Sequence, residues 1–166
     1  MTKVFEEKSS MKTTMKKFAS IILVGATVLS LAACSKKTKK LTADEFKSKM
    51  EAEGYVVTDA EADEESGATV VSAGSEDDTV GFSLAQFADK DSAKEYFEQI
   101  KTFSDLAKQL DPNADVSKSS SKITVQNSEK YTVMILADDT IVTAMAAPAS
   151  DEKVDKVKSG LKALGY

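Results

Sequence analysis

The stretch ITVQNSEKYTVMILADDTIVTAMAAP, residues 123–148, decides the fold. Three β-rich segments, Ile123 to Gln126, Tyr131 to Leu136 and Thr140 to Ala147, are separated only by Asn127-Ser128-Glu129-Lys130 and Ala137-Asp138-Asp139. Connections this short leave no room for a crossover helix, so the segments are expected to pair as antiparallel neighbours. Pro148 stops the last strand, and Ser150 stands where a side-chain oxygen would cap a final helix. Val154, Val157, Leu161 and Leu164 give that helix an apolar stripe before Gly165.

Upstream, Asp115 to Lys122 carries Ser117, Ser119, Ser120 and Ser121 and reads as an exposed connection. Before it, Asp91 to Leu110 is the strongest helix. Ala93, Tyr96, Phe97, Ile100, Phe103, Ala107 and Leu110 recur at three- and four-residue steps, the spacing that docks a helix on a sheet rather than one that builds a ligand wall. Ser92 with Glu95 offers a capping box, and Pro112 helps end the helix.

Two further β-rich segments, Ala68 to Ala73 and Thr79 to Phe87, flank Gly74-Ser75-Glu76-Asp77-Asp78 and read as a hairpin. In the second, Val80, Phe82 and Leu84 alternate with Gly81, Ser83 and Ala85, so one side faces a core. The acidic run Asp59 to Gly67 reads as a solvated turn after a short strand at Tyr55 to Thr58. Thr42-Ala43-Asp44-Glu45 is a capping box, with Leu41 and Phe46 at the positions of a hydrophobic staple and Gly54 as a left-handed stop, which places a helix over 43–53.

The order is αβββαβββα: an α+β domain spanning 41–166, with a mainly antiparallel sheet of about six strands and three helices on one face. The two αβββ halves suggest a pseudo-repeat, supported by helix ends at Gly54-Tyr55 and Gly165-Tyr166.

The first 33 residues have a different character. Lys12, Lys16 and Lys17 precede an apolar run from Phe18 to Leu31, and Leu31-Ala32-Ala33-Cys34 closes it. Charge, apolar stretch and small residues make an export signal, too short to span a bilayer, which takes about 20 residues. Met1 to Thr14 is surplus to such a signal, and Met15 would serve as its start. The closing tetrapeptide resembles the lipobox of bacterial lipoprotein precursors. That resemblance implies a diacylglyceryl group on the Cys34 thiol, cleavage between Ala33 and Cys34, and a mature chain anchored on the extracytoplasmic face of the cell membrane. Residues 34–40 then form a basic tether carrying Lys36, Lys37, Lys39 and Lys40, each worth about 1 kcal/mol beside an anionic surface. With LTADEFKSKMEAEGY and the element order, the mature part resembles small uncharacterised lipoproteins of Gram-positive bacteria.

Composition narrows the chemistry. Cys34 is the sole cysteine, so no disulfide braces the fold. Removing 33 of 166 residues leaves 133, enough for one domain with its own core. Five lysines and two glutamates leave with them, so 17 lysines face 25 acids, a formal charge of −8 that argues against nucleic acid as a partner. No arginine supplies a bidentate fork, and no histidine supplies a general base, a triad or most zinc sites. Lysine or carboxylate chemistry is what remains; Lys118, Lys122 and Lys130 lie near serines at no catalytic spacing, so no catalytic residue is assigned and an enzyme is not expected. Asp59, Glu61 and Asp63, with Asp77 and Asp78, are hard oxygen ligands of the kind calcium takes. An EF-hand register, however, puts Glu64 where glycine belongs and Val70 where the bidentate glutamate belongs, so solvated acidic turns are the expectation, with no metal and no cofactor beyond the lipid. No phosphate-loop or dinucleotide glycine pattern occurs.

The resulting expectation is a lipid-anchored binding or interaction module, its sheet or loops meeting another envelope protein or an extracellular ligand. The alternatives are a small-solute receptor subunit of a transporter and a structural envelope protein.

Overall fold

A computed structural model of the chain describes residues 39–64 and 66–166. The elements run α1 (Ala43–Ala52), β1 (Val56–Asp63), β2 (Ala68–Gly74), β3 (Val80–Gln86), α2 (Lys90–Leu110), β4 (Asp115–Lys118), β5 (Lys122–Gln126), β6 (Tyr131–Ala137), β7 (Thr140–Ala146) and α3 (Asp151–Leu164). The strands form one open antiparallel sheet in the order β1-β2-β3-β7-β6-β5-β4. Two meanders therefore meet where β3 pairs β7, from Val80 opposite Ala146 to Gln86 opposite Thr140.

The α+β class, the three helices and the antiparallel pairing match the sequence expectation, but the sheet has seven strands rather than six. The extra one is β4, in the segment read as a connection: Val116 pairs Val125 and Lys118, on the same face, reaches α2, while Asp115 and Ser117 take the other face. The acids Asp59, Glu61 and Asp63 also lie in a strand rather than a turn. β1 is an edge strand with one neighbour, so outward charges cost little, and a bulge between Thr58 and Glu61 disrupts its free edge.

The helices do not share a face. Phe46 and Met50 of α1 and Val154, Val157 and Leu161 of α3 bury against Val71, Phe82, Val133, Val142 and Ala144 on the first face. Ala93 and Phe97 of α2 bury against Ala68, Ile123, Met134 and Ile141 on the second. The rotation that exchanges the antiparallel strands β3 and β7 would keep α1 and α2 on one face, so the halves are not a structural repeat.

Helix ends show which local signals act. Thr42 Oγ1 accepts the Glu45 N–H at 3.2 Å while Glu45 Oε2 accepts the Thr42 N–H at 3.1 Å, completing the capping box. Leu41 and Phe46 are both buried, as the staple requires. α2 is capped by Asp89 rather than by Ser92: Asp89 Oδ1 accepts the N–H groups of Asp91 (2.9 Å) and Ser92 (2.8 Å), which hold its carboxyl below the usual range. Ser150 occupies the cap position of α3, but its side chain makes no cap hydrogen bond. The two Gly-Tyr endings are one device: with Gly54 at φ +84° and Gly165 at φ +100°, the N–H of Tyr55 reaches Met50 O and that of Tyr166 reaches Leu161 O.

The strands run between two ends of the molecule. At the near end lie the β1–β2, β4–β5 and β6–β7 turns and the β3–α2 connection, tied by Phe87 N–H to Asp139 O and Leu136 N–H to Ser121 O, each 2.9 Å. At the far end lie the β2–β3 and β5–β6 turns and the β7–α3 connection, where Ala147 N–H reaches Thr79 O at 2.9 Å.

Candidate functional site

On the first face two helices cover the sheet, whereas α2 makes its main contacts with β4, β6 and β7 on the second. α2 also packs with Ala68, Val70 and Ala85 at the near end of β2 and β3, so what lies outside its main contacts is the far-end part of the β1-β2-β3 half of the second face. The core-facing alternation of β3 places Ser83 on that open side. The register aligns Thr58 with Ser72, Ser72 with Ser83, and Ser83 with Thr143, one row of four hydroxyls across four strands. All four residues are half-buried. Thr58 Oγ1 donates to Ser72 O at 3.2 Å, which fixes the rotor at the edge.

The neighbouring row is Val56, Gly74, Gly81 and Met145. Met145 folds across Gly81, its Cγ 3.5 Å from the point a Cβ there would occupy, and Val56 is 60% exposed. The result is a low floor of hydroxyls beside an apolar strip, with the exposed Glu61 of β1 on the same face toward the near end. Hydroxyls both donate and accept, so such a floor suits neutral polar groups rather than ions.

The acidic residues singled out for metal do not converge. Asp59 reaches across to α1 and pairs with Lys47 at 2.8 Å; that hydrogen bond lowers the Asp59 pKa and raises the Lys47 pKa. Glu61 and Asp63 pair with Val70 and Ala68 on the second face, so the β1 acids divide between faces. Asp63 Oδ2 accepts from the N–H and hydroxyl of Ser66. Asp77 and Asp78 sit at the far end, away from Asp63. Asp77 Oδ1 accepts the hydroxyls of Ser75 (2.6 Å) and Thr79 (2.8 Å), which take its pKa down to about 2, and Asp78 holds φ +54° in the turn. Among the described residues no three Asp, Glu, His or Cys side chains gather into a metal-binding group. Lys118 is committed to packing: it donates to Lys101 O at 3.0 Å and pairs with Asp105, tying β4 to α2.

A second cluster lies where the chain enters the fold. Lys40 Nζ meets Asp139 Oδ2 at 2.7 Å, and Lys39 Nζ meets Glu45 Oε1 at 3.1 Å. The Tyr166 hydroxyl donates to Lys39 O at 2.9 Å, and burial pushes that phenol up to about 12. Asp139 Oδ1 is buried and accepts no hydrogen bond among the described residues. Two of the four tether lysines are thus engaged with the domain. Leu31, Ala32, Ala33 and Cys34 lie outside the described residues. No described helix is long and apolar enough to cross a membrane.

Along α2 the apolar stripe divides. Ala93 and Phe97 are buried, but Phe103, a member of the predicted stripe, is 51% exposed, and Leu106, outside that stripe, is 45% exposed, while Ser104 between them is the buried side. Neither the hydroxyl row nor the Lys40–Asp139 pair was found by sequence reasoning; the one readable trace of the row is the small-residue side of β3, Gly81-x-Ser83-x-Ala85.

Comparison with protein families, with curated proteins and with solved structures returns no match for this chain.

Proposed function

We propose that this protein is a lipid-anchored interaction module of the extracytoplasmic membrane face, holding a partner of the cell envelope against the open half of its second sheet face. The observation that carries the reading is that half face. Two helices enclose the opposite side, yet here a register-aligned row of hydroxyls and the exposed Val56 lie outside the main contacts of the described helices. The Leu31-Ala32-Ala33-Cys34 ending supports the anchor, and the brevity of the tether supports display close to the bilayer.

The anchoring half is tested by mass spectrometry of the mature N-terminus, which is expected to begin at a diacylglyceryl-modified Cys34. An unmodified thiol on a chain retained in the cytosol would overturn it. The binding half is tested by placing a photo-crosslinking residue at Ser83 or, as control, at Ser128 in living cells. A discrete adduct from position 83 alone, lost in Cys34→Ala, is expected. Equal labelling from both positions would show that the open face has no special role.

A further inference from the structure

Resting on the anchored reading above, the question becomes which end of the domain meets the lipid. Lys39 stands five residues after Cys34. An extended chain advances at most about 3.6 Å per residue, so the Lys39 carbonyl lies within about 18 Å of the anchor. That carbonyl is not free to swing. It accepts the Tyr166 hydroxyl at 2.9 Å, and Tyr166 is itself fixed by packing on the main core and by its N–H bond to Leu161 O. The next residue, Lys40, is clamped to Asp139 in the β6–β7 turn at 2.7 Å, and Leu41 is 1% exposed. The tether therefore becomes part of the fold at Lys39, at the near end.

We propose that Lys39, Lys40, Asp139 and Tyr166 form a clasp that sets the domain upright on the bilayer, with the near-end turns against the lipid surface and the far-end turns directed outward. Lys36 and Lys37 stand in sequence between the anchor and the clasp. An inverted domain is beyond the tether's reach: β3 and β7 have seven residues each, about 24 Å of strand, which exceeds the roughly 18 Å available. In the upright pose the open hydroxyl face stands clear of the membrane and is approached from the side.

Ser120 and Ser128 mark the two ends of β5: Ser120 is in the β4–β5 turn at the near end, Ser128 in the β5–β6 turn at the far end, and both are exposed. In the lipidated full chain Cys34 has no free thiol, so Ser120→Cys or Ser128→Cys takes a single fluorescent donor. The protein is reconstituted in phosphatidylethanolamine–phosphatidylglycerol vesicles carrying a headgroup acceptor. With about 17 Å of strand between the positions, transfer from 120 is expected to exceed transfer from 128 about twofold. Adding Lys40→Gln with Tyr166→Phe is expected to narrow the difference. Equal or reversed transfer from vesicle-bound protein would overturn the orientation, and an unchanged difference in the double variant would overturn the clasp. Failure of the anchored reading is distinguishable, because unlipidated protein would not float with the vesicles at all.

Discussion

The two faces of this sheet are built by the same strands and solve opposite problems. On the first, Val80, Phe82 and Leu84 meet two helices and are nearly excluded from solvent; on the second, Ser83 and Ala85 of the same strand are half-buried and Gly81 lies beneath Met145. A strand read one residue out of phase would exchange the two sets, so the alternation itself defines which side is core. What the difference teaches is where substitutions should be felt. Volume changes on the first face act on stability, whereas those on the open face act on whatever it binds.

The largest effect is expected at Phe82. Its ring lies edge-to-face with Tyr55 at a centroid distance of 4.9 Å and covers the helix backbone at Gly160. Phe82→Ala is expected to cost about 3–5 kcal/mol, read from denaturant unfolding, because the cavity sits between sheet and helix. A smaller loss than about 1 kcal/mol would mean the first face is not the close-packed side.

Gly160→Ala comes next. A Cβ there would fall 2.4 Å from Phe82 Cζ, so the ring must move. The helix-propensity gain of about 1 kcal/mol is expected to be outweighed, giving a net loss of about 1–3 kcal/mol. Phe82→Leu should relieve part of that loss, and a double-mutant cycle measures the coupling. Thr42→Ala is expected to cost about 1 kcal/mol by removing half of the α1 capping box, again by denaturant midpoint.

How much of this is legible in the sequence depends on how local the signal is. The Thr42–Glu45 box, the Leu41–Phe46 staple and both Gly-Tyr endings each fit within a few residues, and each is found where it was expected. The β4 strand was not legible, because Asp115-Val116-Ser117-Lys118 offers one apolar residue and no repeated alternation, and its pairing is provided by β5. The side taken by α2 was hidden for a related reason: an apolar stripe says that a helix docks, not on which face of an antiparallel sheet. The hydroxyl row needed the pairing of β3 with β7, elements separated by all of α2, β4, β5 and β6.

Acid provides a smaller test, confined to the far end. Asp77 is held at about 2 against a usual 3.8 by the hydroxyls of Ser75 and Thr79. A depressed folded pKa contributes stability that is present above about pH 4 and lost as pH falls toward 2. Asp77→Asn is therefore expected to flatten that part of the stability profile and to leave the profile near neutrality parallel to the parent. Thermal unfolding across pH 2–6 checks it; an unchanged acid limb would show that the turn hydrogen bonds contribute nothing.

The smallest stability effects are expected on the open face, and there the contrast between the two sides becomes decisive. Ser72→Ala and Ser83→Ala remove half-buried hydroxyls without touching the core, so each should shift the unfolding midpoint by no more than about 0.5 kcal/mol. Thr143→Val keeps the β-branched shape that suits a strand while deleting the donor and acceptor. If the row serves only to fill a pleat, the triple variant should behave as the parent in every respect. If it meets a partner, the triple variant should retain its unfolding curve and lose the adduct formed from a crosslinker at Val56, which is 60% exposed in the adjacent row. Loss of stability together with the adduct would instead place these hydroxyls in the fold's own hydrogen-bonding and dissolve the distinction between the faces.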